Sequence, residues 1–301
     1  MSSPACPTCG AATRMLAPTG GYPRHQCRRC RLEFLHPQPD DAALNAIYGR
    51  HYYNAWGIHD DEAGTRRLKL ATFTRLIAGI RNLLPEAARI LDVGCATGYF
   101  LEAARDCGFD AYGVELSNYG ADAARRKIGA GKVHQGDLED VRFNDMGDGQ
   151  FDAVFMSDLI EHVRSPLAQL AAAHRQLKPG GLLIVTTPWT GTLLHSLSGS
   201  CWLHYKPEHL FYFGAGNLPQ LMEAAGFKII RMQRSRKCLS LAYAASQFGV
   251  GNRTRRIFAA LLKCLPGRLL NKELWVSIGE TTLVAQRRSN LSDDDSTAAV
   301  Q

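Results

Sequence analysis

From Ala88 onward the chain alternates short apolar runs with amphipathic stretches, the texture of strands separated by crossover helices. Arg89–Val93, Ala111–Glu115, Lys132–Gln135, Phe151–Ser157 and Leu182–Thr187 each read as a strand. After the first of them, Phe100, Leu101, Ala104 and Cys107 form one helical stripe that Gly108 closes. Ser117 is placed to cap the next helix, and Ser165-Pro166 opens another that runs to Leu177. A helix from Leu218 to Ala225 ends at Gly226, and Phe227–Met232 and Trp275–Ala285 read as two further strands. This succession implies βαβ units, so the expected fold class is α/β, a doubly wound and mostly parallel sheet.

The flanks are patterned differently. Residues 1–36 are rich in Cys and Arg and have little periodicity. Residues 37–86 follow a Pro-rich joint (His36-Pro37-Gln38-Pro39), pass Tyr48, Tyr52, Tyr53 and Trp56, and turn helical from about Arg66 to Leu84, where Pro85 stops the pattern. The expected organisation is a Cys-rich module at 1–36, a linker with capping helices at 37–86, and an α/β domain at 87–288. That domain carries a basic helical insertion at 237–272. Residues 289–301, with Asp293-Asp294-Asp295 and almost nothing apolar, are expected to be a disordered tail.

Composition narrows the class. The chain has 301 residues, 46% hydrophobic and 21% charged, which is a globular balance rather than a disordered or fibrous one. No apolar run approaches the ~18 residues needed to span a bilayer. No apolar leader opens the chain, so the expectation is a cytoplasmic, reducing setting, in which paired cysteines mean metal or redox chemistry. Net charge is +7, and the excess sits late, with 13 basic against 2 acidic residues from Lys228 to Arg288. Such a face suits an anionic partner, whether nucleic acid, lipid or a phosphorylated substrate. No aromatic-interleaved nucleic-acid motif accompanies it, so nucleic acid is the less favoured partner. Residues 253–270 read as a basic amphipathic helix broken at Pro266, either a lid packed over a pocket or a peripheral membrane contact. Nothing in the pattern fixes an oligomeric state.

Cys6-Pro-Thr-Cys9 is followed after 17 residues by Cys27-Arg-Arg-Cys30. Two Cys-x-x-Cys knuckles at that separation match a tetrahedral thiolate site for a structural Zn²⁺ held by Cys6, Cys9, Cys27 and Cys30. About 36 residues cannot build a core unaided, and a metal supplies the missing free energy. Four thiolates leave no open position for a substrate, so the zinc ribbon is expected to be structural rather than catalytic.

Asp92-Val-Gly94-Cys95-Ala96-Thr-Gly98 lies between a strand and a helix. Gly94 permits a tight turn and close approach of backbone to ligand, and Gly98 lets the helix start close against the sheet. Alone the loop is a thin signal, lacking the full G-x-G-x-x-G because Ala occupies position 96. Its context adds weight. Glu115 ends the next strand, where a carboxylate can accept both hydroxyls of a ribose, and Asp137 ends the third, placed to accept from an exocyclic amine. Three acids at successive strand ends line the edge where doubly wound folds bind ligands.

Here the chain resembles the class I S-adenosylmethionine (SAM)-dependent methyltransferases. The matching stretches are Ile90–Gly98, Gly113–Leu116, Gly136-Asp137, Phe151–Phe155, Asp158–Val163 and Leu177–Leu182. The likeness is closer to bacterial methyltransferases with an N-terminal zinc ribbon and looser to quinone O-methyltransferases. It implies a cofactor site of Asp92, Gly94, Cys95, Ala96, Gly98, Glu115, Leu116, Asp137, Leu138 and Ser157. Gly94 and Gly98 would frame the methionine part, Asp92 would act near its ammonium, Glu115 on the ribose and Asp137 on the adenine amine.

Methyl transfer from a sulfonium is an in-line displacement, and an oxygen nucleophile needs a proton removed, a task that suits a near-neutral His. His162 follows the fourth strand, and His204, Tyr205 and His209 lie in Trp202–Phe213. His209 is the leading acid/base or positioning candidate, then His162, His204 and Tyr205; a loop-ordering role is the plain alternative for each. The expected activity is methyl transfer to oxygen or carbon of a small-molecule acceptor. An RNA target gripped by the ribbon arginines and the basic third is the competing acceptor. A non-methylating nucleotide-binding Rossmann protein is the competing class.

Overall fold

The computed structural model describes residues 3–47, 62–141, 150–249 and 265–288. Seven strands form the central sheet: β4 (Arg89–Val93), β5 (Asp110–Glu115), β6 (Val133–Gln135), β7 (Phe151–Ser157), β8 (Leu177–Pro188), β10 (Phe227–Arg234) and β13 (Glu280–Arg287). Their order across the sheet is β10-β13-β8-β7-β4-β5-β6. The run from β8 to β6 is parallel, and β13 alone is antiparallel, pairing with both β8 and β10. The chain begins at β4 in the middle, moves outward to β6, then returns to β7 on the other side. That reversal opens a crevice at the carboxyl ends of β4 and β7, where open α/β sheets bind ligands.

The strands are apolar on both faces because helices cover both. On one face Ile90, Phe155, Ile184 and Val284 pack with Phe100 and Leu101 of α3 (Tyr99–Asp106), Ala121 and Ala124 of α4 (Asn118–Ile128), and Ile77 of α2 (Glu62–Ala78). On the other, Leu91, Val93, Val154, Met156 and Val185 pack with Leu170 of α5 (Pro166–Gln176) and Leu218 and Met222 of α7 (Leu218–Ala224). Ser117 caps α4 by accepting from Gly120 N–H at 3.3 Å, and Pro166 opens α5 at its first turn. Helix α2 ends at Ala78, before Gly79 and well short of Pro85; only a 3₁₀ turn, Arg81–Leu83, follows.

The N-terminal residues build a second, antiparallel sheet, β1 (Thr13–Thr19), β2 (Tyr22–Cys27) and β3 (Glu33–Leu35), followed by α1 (Asp41–Ile47). Its fourth strand comes from far along the chain: β9 (Phe211–Tyr212) pairs with β3. Cys6, Cys27, Cys30, Leu32 and Phe34 are continuous with the α5/α7-side core.

Two expectations are corrected here. Trp275–Ala285 is not one strand. It breaks before Gly279 (φ +92°), leaving β12 (Glu273–Val276) in a separate two-stranded sheet and β13 in the central one. The segment opening at 237 is not helical throughout: β11 (Lys237–Ser240) pairs with β12 before α8 (Leu241–Gly249) begins. Of the basic amphipathic stretch, only α9 (Gly267–Leu270) and its flanks fall among the described residues; residues 253–264, the tail at 289–301 and Tyr48, Tyr52, Tyr53 and Trp56 lie outside them. Among the described residues no helix is long and apolar enough to cross a membrane.

Candidate functional site

The loop after β4 is clamped to the end of β5. Gly94 and Cys95 N–H both donate to the Val114 carbonyl, at 2.8 and 3.0 Å. Gly94 has φ +71°, which favours glycine, and a Cβ there would meet the tip of the Leu159 side chain, Cδ1, at 2.9 Å. Glu115 accepts from Ala96 N–H and Ser117 N–H, each at 2.8 Å, which ties the glycine loop to the next strand end. Asp92 and Glu115 are both buried. Burial first, and the neighbouring Glu115 charge second, push the Asp92 carboxyl well above its ordinary range. Two buried acids that feel each other's charge in low dielectric make a setting that a nearby cation would relieve.

The other predicted cofactor residues separate by role. Asp137 is exposed, accepting from Glu139 N–H at 3.3 Å, and Leu116 presents an apolar side chain 73% exposed at the end of β5. Both follow the carboxyl ends of their strands, β5 and β6. Leu138, by contrast, is buried in the core with Leu91 and Val93. Cys95 turns inward: a Cβ on Gly113 would lie 2.7 Å from its sulfur, so the thiol fills the space that Gly113 vacates in β5. Burial, Asp92 and Glu115 all push that thiol upward, and it is no nucleophile. Gly98 starts α3 in a left-handed conformation (φ +83°), and a Cβ there would meet Ala124 Cα at 2.9 Å. Its freedom therefore serves the packing of α3 on α4.

A cavity of about 480 Å³ opens beside the ends of β7, β8 and β13. Ser157, Asp158, Thr186, Thr282 and Lys237 line it together with Leu68, Thr72 and Phe73 of α2. Its base is an ion network that the sequence reading did not find. Lys237 Nζ reaches Asp158 Oδ2 and Glu280 Oε1, each at 2.7 Å. Burial alone would depress the lysine, but the two carboxylates hold it well above its usual range. Asp158 is itself in the left-handed region (φ +54°), a conformation that costs a non-glycine residue about 1–3 kcal/mol and is held by its surroundings. Ser157 Oγ and Asp158 Oδ1 are buried with no hydrogen-bond partner among the described residues. The signal was present in Asp158-Leu-Ile-Glu161-His162, but nothing local in the sequence links it to Lys237 or Glu280.

The predicted catalytic residues do not line this cavity; they stack behind it. His209 is buried against His162, ring centroids 4.6 Å apart and nearly perpendicular, and lies near-parallel to His204 at 6.4 Å. Burial drives all three down, His162 and His204 to about 4 and His209 well below its ordinary value, so they stand neutral. His204 Nε2 donates to the Ile278 carbonyl at 2.9 Å, anchoring the turn before β13. Glu161, also buried, accepts from Thr187 Oγ1 at 2.8 Å, and burial together with the Asp158 charge raises it to about 8. Glu161 Oε1 and His209 Nδ1 have no hydrogen-bond partner among the described residues.

Tyr205 is corrected outright as an acid/base candidate. Its hydroxyl donates to Glu33 of β3 at 2.9 Å, and the Arg24 guanidinium of β2 sits 3.4 Å from its ring centroid. Burial and Glu33 push the phenol far up, so it is a joint between the N-terminal sheet and the 202–213 segment. Asn217 strengthens that joint, donating to the Cys30 carbonyl at 3.1 Å. Trp202 is fully buried beside Leu35 and Tyr212 in the same place.

The four N-terminal cysteines converge. Cys6 and Cys30 sulfurs are 3.7 Å apart, and those of Cys9 and Cys27 are 3.5 Å apart. A tetrahedron with metal–sulfur bonds of ~2.3 Å has sulfur–sulfur edges of about 3.8 Å, so the site has the size of such a centre. Arg29 and Cys30 N–H point at Cys27 Sγ, and they outweigh burial to lower that thiol to about 7.

The methyltransferase domain family matches residues 64–232, more than half of the chain. The chain is 34% identical over 110 residues to a ubiquinone biosynthesis O-methyltransferase of Cereibacter sphaeroides, covering 34% of this chain and 42% of that protein. It is 33% identical over 114 residues to a dTDP-3-amino-3,4,6-trideoxy-alpha-D-glucopyranose N,N-dimethyltransferase of Streptomyces venezuelae, covering 36% and 46%. It thus spans less than half the length of these curated relatives. Its fold matches the crystal structure of a SAM-dependent methyltransferase of Thermotoga maritima, with a TM-score of 0.51 at 21% identity, over 81% of this chain and 98% of that one. A glycine turn clamped to Glu115 on a sheet of order β10-β13-β8-β7-β4-β5-β6, and a family match across that same stretch, agree: the chain belongs to the class I SAM-dependent methyltransferases.

Proposed function

We propose that this chain transfers a methyl group from SAM to a hydroxyl oxygen of a small-molecule acceptor held in the cavity at Asp158. The observation that carries the reading is the pair of buried carboxylates, Asp92 and Glu115, beside the Gly94 turn. SAM, when bound, supplies an activated methyl on a positive sulfur. The protein's share is alignment and charge. Glu115 would accept from the ribose hydroxyls. Asp92 would serve the cationic end, Asp137 would accept from the adenine amine, and Leu116 would offer the ring an apolar surface.

On the acceptor side, Asp158 is an ionised acid whose one oxygen is held by Lys237 and whose other oxygen lacks a partner. It accepts the hydroxyl hydrogen and orients the oxygen for in-line attack. The hydroxyl proton passes to Asp158 Oδ1 as the oxygen–carbon bond forms and the carbon–sulfur bond breaks, leaving S-adenosylhomocysteine, while Glu161, His162 and His209 sit behind Asp158 as positioning groups. The four cysteines hold a structural Zn²⁺, which fixes β3 and so the β9 segment that carries His209.

Calorimetric titration with S-adenosylhomocysteine, followed by transfer of radiolabelled methyl into fractionated cell extract, tests the reading. Binding with label in the small-molecule fraction is expected. Absence of binding overturns the cofactor assignment, and label confined to RNA or protein overturns the acceptor assignment.

A further inference from the structure

The mouth of the cavity carries charge that the transfer chemistry does not use. Five cations line the cavity, Lys69, Arg75, Arg234, Arg236 and Lys237, against one carboxylate, Asp158. Lys237 is neutralised by Asp158 and Glu280. Lys69 lies within the field of those same two acids. Arg75, Arg234 and Arg236 are exposed, and none pairs with a carboxylate among the described residues. They come from three places, α2, the end of β10 and the turn into β11, so only the folded chain assembles them. Arg75 is braced in position by Trp275, its guanidinium 4.8 Å from a ring centroid.

We infer that the acceptor carries a phosphate or diphosphate group, held at this mouth by Arg75, Arg234, Arg236 and Lys69 while its reacting hydroxyl lies at Asp158. This rests on the reading of the cavity as the acceptor site. A lone carboxylate offers one charge and two oxygens, which a single arginine satisfies. Three guanidinium forks with a lysine match a group with several charged oxygens. Leu68, Phe73, Leu76 and Leu239 give the cavity apolar walls for the remainder of the molecule. A volume of about 480 Å³ holds a small molecule and excludes a nucleic-acid duplex.

The test is titration of the full chain with inorganic pyrophosphate at fixed ionic strength, with sodium acetate as the carboxylate control. Pyrophosphate is expected to bind, acetate not to compete, and R234Q/R236Q to weaken binding by about tenfold or more. The same double variant is expected to keep wild-type affinity for S-adenosylhomocysteine, which shows that it is folded. No pyrophosphate binding, equal binding by the double variant, or equal competition by acetate overturns the proposal. So does displacement of pyrophosphate by an RNA duplex with steep salt dependence, which would assign the mouth to nucleic acid. Failure of S-adenosylhomocysteine alone to bind would remove the methyltransferase reading while leaving the pyrophosphate result to be judged on its own.

Discussion

The ends of β4 and β5 and the ends of β7 and β8 share one edge of one sheet, yet they are built by different means. Over β4 and β5 every important group sits within a few residues of a strand end: Ala96 and Ser117 N–H donate to the Glu115 carboxylate, and Gly94 N–H donates to the Val114 carbonyl. Over β7 and β8 the groups come from distant parts of the chain. Asp158 meets Lys237 and Glu280, and His209 lies on a segment whose next strand, β9, completes the N-terminal sheet. The cofactor half is thus local and self-supporting. The acceptor half depends on long-range contacts, and one of its supports is the cysteine module.

The largest effect should come from breaking that support. One zinc per chain is expected by elemental analysis. A chelator or Cys30→Ala should unfold the N-terminal sheet, because modules of this size draw on the order of 10 kcal/mol from the metal. Trp202 would report the loss through a red-shifted emission, since it is fully buried against Leu35 of that sheet. Methyl transfer should vanish while S-adenosylhomocysteine affinity changes by no more than about threefold. Equal loss of both would mean that the two halves are not separable.

Glu115→Ala probes the local half. It removes the proposed ribose acceptor and leaves Ala96 and Ser117 N–H without the Glu115 carboxylate. Losing charge-assisted bonds of this kind costs about 3 kcal/mol, so S-adenosylhomocysteine affinity should fall by roughly 100-fold in calorimetry. The acceptor half responds to a different pair of changes. Asp158→Asn should lower kcat by about 100-fold with cofactor affinity retained, and His209→Gln by about tenfold with a displaced pH profile. A larger effect at His209 than at Asp158 would reverse their roles.

The same contrast explains what was legible beforehand. Strands β4 to β7, β8 from Leu182 onward, and the caps at Ser117 and Pro166 follow from periodicity, because each is decided within about twenty residues; the first five residues of β8, from Leu177, read in the sequence as the end of the helix and its turn. The break between β12 and β13 was missed because an apolar run carries no mark of which sheet each part joins. The Lys237 network was missed because an acid, a lysine and a second acid separated by scores of residues have no spacing rule. Tyr205 was misplaced for the opposite reason: its neighbours suggested a site, while its real partners, Arg24 and Glu33, lie in another sheet.

Buried titratable groups in the acceptor half also give stability a pH dependence. His162 and His204, at about 4, are neutral in the fold and charged when unfolded, so stability rises as pH climbs from 4 to 6.5. Glu161, raised to about 8, and Glu280, raised to about 7, act oppositely: the fold keeps protons that the unfolded chain has released, so stability falls as pH rises. Between 6.5 and 8 the histidines are silent and, with Zn²⁺ bound so that the Cys27 thiol does not titrate, the two acids remain. Denaturant unfolding without ligand should show a loss of about 1–2 kcal/mol across that window. Glu161→Gln should flatten most of it; an unchanged slope would place the titration elsewhere.

The smallest effect belongs to the cofactor loop. Ala96 is held at φ +47°, a left-handed conformation that costs a residue with a Cβ about 1 kcal/mol. Glycine would relieve that strain, but it loses about 0.5–1 kcal/mol through the extra freedom of the unfolded chain. Ala96→Gly should therefore shift stability by no more than about 0.5 kcal/mol, in the stabilising direction. Its N–H still donates to Glu115, so S-adenosylhomocysteine affinity should stay within about twofold of the parent by calorimetry. A fall of tenfold or more would mean that the Ala96 methyl touches the ligand. The loop would then owe its fit to a side chain and not, as its geometry implies, to backbone alone.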